Sequence, residues 1–247
     1  YNYSKKKKIG FLLSIFDIKS LNILKKIKLD YIKIPSGEIN NLPFLLSVKK
    51  LKKNIILSTG MANLKEIKEA YKILKNKKKE LILLHCNSAY PTPDEEANLG
   101  LISELRKKFK TKIGYSDHTQ GIDASVAAVS LGACVIEKHF TLNKNMKGPD
   151  HSSSLNPDEF KKMVQSIRRT EKFFLKKKQF ITSSERQNIS IVRKSIVASK
   201  NIISGEKFSV KNLTTKRPGT GISPMKWFQV LNKKAKKKII KDELIKL

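Results

Sequence analysis

The chain has 247 residues, 39% of them hydrophobic, with 52 Lys and Arg against 21 Asp and Glu and a formal net charge of +31. That length suits one large domain, or a medium domain with a small one attached, and lysines interrupt every apolar stretch before it approaches the roughly 20 residues of a membrane-spanning helix. The excess charge is nearly all lysine, spread over helix faces such as KILKNKKKE and NKKAKKKIIKDE, while arginine, the better base and phosphate reader, is scarce, so neither a membrane nor a specific nucleic-acid partner is expected.

The chain opens at Tyr1 with SKKKK and an apolar run. Asp17 and Lys19 follow at once and no small-residue cleavage site appears, so this is not read as a secretory leader. From there apolar, β-branched runs alternate with stretches of helical period, the pattern of βα units around a parallel sheet. The runs are Ile9–Ile15, Leu29–Ile34, Asn54–Ser58, Glu80–His85, Lys112–Ser116 and Ala133–Glu137. Among the helices between them, Leu64–Lys75 has Asn63 as a natural N-cap and Glu66 at the capping-box position. A last barrel helix is expected at about Pro157–Lys176. Cys86 and Cys134 lie in apolar runs and read as small buried hydrophobes in a reducing cytoplasm, where the protein is expected to reside.

A (β/α)₈ barrel needs eight strands, and six runs leave two unaccounted for ahead of Tyr1. The expected fold is therefore α/β: a TIM-type barrel missing its first two strands, over residues 1–178. KKKQFITSSE then suggests a polar linker at 179–187. Short strand-like pieces and turns from 188 to 247 suggest a second, small domain, of a size that needs docking or oligomerisation for stability. A doubly wound open sheet is the structural alternative, but no Gly-rich loop follows the first strand.

Polar residues collect where the runs end: Ser14, Ser36, Glu38, Ser58, Thr59, Asn87, Ser116, His118 and His139. In a barrel that is the catalytic face. His118 in GYSDHTQG and His139 in VIEKHFT occupy equivalent positions on adjacent strands. One isolated histidine there reads as a strand cap. Two of them, on strands about 5 Å apart, can reach a single metal ion and leave positions open for substrate oxygens. Asp117 is either an orienter of His118 or a turn residue. Lys33 alternates with Ile32 and Ile34 and so points into the barrel, where an ammonium needs an anion; the alternative is snorkelling to the rim. Ser36 and Gly37 form a loop suited to phosphate or carboxylate. Glu38 is a candidate acid/base, or simply an N-terminal helix charge. Asn87, Ser88 and Tyr90 offer hydrogen bonds from a proline-stiffened loop, and Asp150 suits sugar hydroxyls. His85 reads as a satisfied core histidine, and His151 as a loop residue.

The segments KIPSGE, ILSTGMA, HCNSAYPTP, GYSDHT, EKHFTLNKNMKGPDHSSSL and KRPGTGI, in this order, closely resemble the sialic acid synthase family, from about Ile9 to the C-terminus. The resemblance implies a barrel followed by a small antifreeze-like (SAF) domain. It implies a transferase that condenses phosphoenolpyruvate with an open-chain N-acetylated hexose, N-acetylmannosamine or a relative, and releases phosphate. A divalent metal, Mn²⁺ before Mg²⁺ or Co²⁺, would be held by His118 and His139. Lys33, Ser36, Ser14 and Ser116 would bind phosphoenolpyruvate, Glu38 would lie near the attacking water, and Asn87 and Tyr90 would line the pocket. Asp150 would contact the sugar. The implied homodimer is domain-swapped, with Arg217 reaching the sugar across the interface. Ser14-Ile15 stands where relatives carry Thr-Pro, and PSGE departs from the Ser-Phe of the pseudaminic branch. In the family the two strands missing here supply a further glutamate, a phosphoenolpyruvate-binding lysine and part of the sugar pocket, so weak or absent turnover of this chain alone is expected. An inactive anion- or carbohydrate-binding remnant, and a legionaminate rather than a neuraminate synthase, are the alternatives.

Overall fold

The computed structural model describes residues 1–25, 27–175 and 180–247. They fall into two compact units, Tyr1–Leu175 and Lys176–Leu247. In the first, a short helix α1 (Asn2–Lys6) precedes five strands: β1 (Tyr31–Ile34), β2 (Asn54–Ser58), β3 (Leu81–Cys86), β4 (Ile113–Asp117) and β5 (Ile136–Lys138). They pair in sequence order, all in parallel. Between them run α2 (Leu42–Lys50), α3 (Leu64–Leu74), α4 (Gly100–Phe109) and α5 (Asp123–Ser130), and α6 (Pro157–Phe173) follows β5. The result is a curled, partial barrel.

Local chemistry starts the helices where the sequence suggests. Asn63 Oδ1 accepts from the amides of Lys65 and Glu66, and Glu66 returns the bond to the Asn63 amide at 2.8 Å, satisfying donors the helix cannot pair internally. Asn156 and Glu159 form the same box ahead of α6, with Pro157 in the first turn.

Alternation along each strand sorts side chains between two layers. Ile34, Leu57, Leu83 and Ile113 pack outward with Phe44, Val48 and Ile102 of the helices; burying one such side chain contributes about 1.5–3 kcal/mol. Ile56, Ile82 and Leu84 form a separate inner cluster. Gly114 belongs to that inner face: a Cβ there would lie 2.5 Å from Leu84 Cδ2 and 2.6 Å from the Val135 carbonyl, so only glycine lets the strands close up.

Three expectations change. The run Ile9–Ile15 forms only one isolated parallel bridge, Ser14 with Lys33. Parallel strands persist when both faces are covered, and Ile9 and Leu12 are exposed. Cys134 is exposed while Cys86 is buried, because β5 begins only at Ile136 and Cys134 lies in the uncovered approach to it. A helix α7 (Ser183–Val192) starts inside the expected linker and runs on into the expected second domain: Glu185 Oε2 accepts from both the amide and the hydroxyl of Thr182, an N-terminal lock. The expected boundary between 178 and 179 lies outside the described residues.

The second unit pairs β6 (Ser195–Ala198) with β7 (Leu213–Lys216) in antiparallel fashion and adds a short helix α8 (Trp227–Val230). Its core is Ile196, Ala198, Ile202, Phe208, Leu213, Val230 and neighbours. Among the described residues no helix is long and apolar enough to cross a membrane.

Candidate active site at the mouth of the partial barrel

The inner-face residues at the C-terminal ends of β1 to β5 open into one cavity of about 460 Å³. Of the residues singled out from the sequence, Ser14, Lys33, Ser36, Gly37, Ser58, Ser88, Tyr90, Ser116, His118 and His139 line it, joined by Cys86 and Glu137. This convergence follows from the period of two: Ser58 follows Ile56 on the inner face of β2, and Ser116 follows Gly114 on that of β4.

Lys33, only 4% exposed, donates from Nζ to Glu137 Oε1 at 2.9 Å. Ser116 Oγ donates to the same oxygen at 2.7 Å. Burial works to raise the Glu137 carboxyl, but the Lys33 ammonium and the two hydrogen bonds outweigh it and hold the carboxyl below the ordinary range. Ser36 Oγ accepts from the Gly60 amide at 3.0 Å, which fixes its rotamer toward the cavity. A Cβ at Gly60 would come within 2.9 Å of the Ser36 hydroxyl and the Cys86 thiol and closer still to Ser88 Oγ, so glycine here keeps that wall open. Ser58 Oγ, in a residue 2% exposed, is buried without a hydrogen-bond partner. A buried hydroxyl left unpaired is costly, and a cavity wall is where such a cost has a use.

The histidines face each other with ring centroids 5.3 Å apart and planes at 80°. His118 Nδ1 lies 2.5 Å from the carbonyl of Asn87. A carbonyl can only accept, so Nδ1 carries the proton and Nε2 keeps its lone pair. Burial pushes the imidazolium down, so the ring is neutral near pH 7. Tyr90 stacks obliquely 4.2 Å from His118 and edges onto His139 at 5.3 Å; burial raises its phenol. Two imidazoles, one of them neutral with its Nε2 lone pair 3.4 Å from Ser116 Oγ, suit a divalent metal as nitrogen donors. No cluster of three or more His, Cys, Asp or Glu side chains suited to a metal occurs among the described residues.

The other expected residues sit elsewhere. Glu38 lies outside the lining and accepts from Asn41 Nδ2 at 2.6 Å, the helix-entry arrangement. Asn87 turns its amide toward Glu96 and contributes its backbone carbonyl instead. Asp150, on the loop after β5, comes no closer than 3.7 Å to His139 Nδ1. Arg217, in the second unit, donates from Nε to the Val192 carbonyl. Asp117 pairs with Lys138 at 3.1 Å, both side chains fully buried. His85 is a core histidine bonded to the Ala97 carbonyl, its imidazolium disfavoured by burial. Glu137 is the residue that strand-end reasoning passed over; its position two residues before His139, on the same strand face, was the available signal.

Comparison with known proteins adds ancestry. Residues 1–179 match the NeuB family and residues 193–247 the SAF domain. The N,N'-diacetyllegionaminic acid synthase of Campylobacter jejuni is 53% identical over 247 residues, covering 99% of this chain and 74% of the relative. The N-acetylneuraminate-9-phosphate synthase of Mus musculus is 35% identical over 246 residues, covering 99% and 68%. Among solved structures, the N-acetylneuraminic acid synthetase of Leptospira borgpetersenii in complex with citrate superposes with a TM-score of 0.71 at 39% identity, covering 76% of this chain and 66% of that one. The chain thus spans about two thirds to three quarters of the length of these proteins.

Proposed function

The chain belongs to the NeuB family, and from that premise we propose that its barrel carries the site of a nonulosonic acid synthase, condensing phosphoenolpyruvate with an N-acetylated sugar aldehyde. The observation that supports this most is the lining of the cavity: one buried ammonium, several serine hydroxyls and two facing imidazoles, all on the C-terminal ends of the strands. An ammonium ringed by hydroxyls is an anion seat. Facing imidazoles suit a carbonyl to be polarised.

In this reading Lys33, Ser36, Ser14, Ser58 and Ser116 hold the phosphate and carboxylate of phosphoenolpyruvate and aim its C3 at the aldehyde carbon. A divalent metal held by His118 and His139, Mn²⁺ foremost, would supply Lewis-acid polarisation of the aldehyde oxygen. The carbon–carbon bond forms as the vinyl electrons leave C2, and the former aldehyde oxygen takes up a proton. Water adds to the cationic C2 and loses its proton. The C2–O bond to phosphate then breaks as the new C2 hydroxyl gives its proton to the departing phosphate, leaving a 2-keto acid and inorganic phosphate. Tyr90 closes the side of the pocket over the imidazoles. Glu38 takes the water-positioning role only if its carboxylate leaves Asn41. Asp150 would meet sugar hydroxyls from its loop. The dimer, with Arg217 of a second copy at the sugar, and a cytoplasmic setting belong to the same proposal.

The greater identity to the diacetyllegionaminic acid synthase than to the N-acetylneuraminate-9-phosphate synthase, 53% against 35%, favours a legionaminate-type sugar over N-acetylmannosamine. The test is to incubate the protein with phosphoenolpyruvate, Mn²⁺ and each sugar and to weigh the products. A keto acid formed faster from the legionaminate precursor supports the reading. Product from N-acetylmannosamine alone contradicts that sugar choice, and no keto acid from either, tested in the protein carrying a complete eight-stranded barrel, contradicts the synthase.

A further inference from the structure

Among the described residues that line the cavity, Lys33 is the one lysine or arginine and Glu137 the one carboxylate. They are paired with each other. The anion seat is therefore already taken in the protein without substrate. Ser116, a second donor facing the same space, also spends its proton on Glu137 Oε1. We infer that Glu137 is a resident counter-anion, with which an anionic substrate must compete for Lys33.

Lys33 is buried, and a buried ammonium without an anion is strongly disfavoured. Glu137 meets that need while the cavity is empty. Its side chain is 35% exposed against 5% for Lys33, so of the two partners the carboxylate is the one with somewhere to go. An incoming phosphate or carboxylate can replace it at Nζ and at Ser116 Oγ, restoring both hydrogen bonds. Should Glu137 stay, its negative charge lies beside that of the ligand. Either way the carboxylate opposes anion binding, and its removal strengthens it. A carboxylate that merely propped the site open would have the opposite effect.

This inference rests on the synthase reading for the identity of the anion but not for its sign. The experiment is calorimetric titration of phosphoenolpyruvate, and separately of inorganic phosphate, into wild type, Glu137→Gln and Lys33→Met. Glu137→Gln should bind roughly tenfold more tightly or better, a gain of about 1.4 kcal/mol, while Lys33→Met should bind neither ligand measurably. Equal or weaker binding by Glu137→Gln, with wild-type binding intact, overturns the counter-anion role and leaves the synthase standing. If wild type binds phosphate but not phosphoenolpyruvate, the synthase reading fails, and the phosphate series alone decides the role of Glu137. If Glu137→Gln does not fold, Glu137→Asp, which draws the carboxylate back by one methylene, takes its place. A smaller gain in affinity is expected there, and a loss overturns the inference.

Discussion

Lys33 and Glu137 meet at 2.9 Å although β1 and β5, which carry them, are the first and last strands of the five-stranded order. That contact is possible only because the sheet curls far enough to bring its ends face to face, so the ion pair holds the curl as well as the site. Lys33→Met leaves the Glu137 carboxylate partly buried and unpaired. The expected loss is about 1–3 kcal/mol, below the figure for a fully buried pair because water reaches the glutamate. Urea unfolding at pH 7 measures it.

The same pair makes stability depend on pH. The Glu137 carboxyl is held below its ordinary value of 4.5 in the fold, so its contribution is complete above that value and is lost as pH falls through the folded pKa. Wild type should lose stability below about pH 4.5 more steeply than Glu137→Gln does. Denaturation midpoints between pH 7 and 3 make the comparison, and parallel curves would exclude the linkage.

Ser58→Ala separates fold from function. Its hydroxyl is buried without a partner, so replacing it by a methyl should leave stability unchanged or up to about 1 kcal/mol higher. If that hydroxyl waits for a substrate oxygen, phosphoenolpyruvate affinity should fall roughly tenfold. Thermal melting alongside titration reads both. A variant that is destabilised and binds normally contradicts the assignment.

His118 should titrate below the ordinary imidazole value of about 6.5, because burial disfavours its charged form. An unfolded chain then takes up a proton that the native one refuses, so native stability declines as pH falls from 6.5 toward the folded pKa. Long-range ¹H–¹⁵N spectra of the metal-free protein should show the proton on Nδ1, held by the Asn87 carbonyl. A proton on Nε2 would remove the lone pair from the cavity.

Asp117 and Lys138 immediately precede His118 and His139 and pair behind them, both fully buried. Asp117 also accepts from Thr119 and Ser125, and Lys138 donates to the Thr119 carbonyl. Lys138→Met should cost about 3–5 kcal/mol, and Asp117→Asn added to it should recover part of that. A simple sum in the double variant would show the two side chains to be uncoupled.

The strand cores and the histidine pair were legible because alternation is local: Ile56 and Ser58, Gly114 and Ser116, Ser116 and His118 declare a shared face by spacing alone. What escaped depends on distant geometry. Glu137 gains its meaning from Lys33, 104 residues away, and only the curvature of the sheet joins them. Asn87 acts through its carbonyl, which side-chain reasoning does not weigh. Glu38 has the right residue type at a strand end, but Asn41, three residues on, engages it first. The run Ile9–Ile15 has the composition of a strand without the cover that a strand requires.

The most direct test is Mn²⁺-dependent phosphate release from phosphoenolpyruvate with the preferred sugar, in the protein carrying a complete eight-stranded barrel, with wild type, Lys33→Met and His118→Ala side by side. The account predicts release in wild type that needs both sugar and metal, falling by about 10²-fold or more in each variant while circular dichroism stays native. Wild-type release in either variant would contradict it, since the ammonium and the imidazole would then not share one catalytic site.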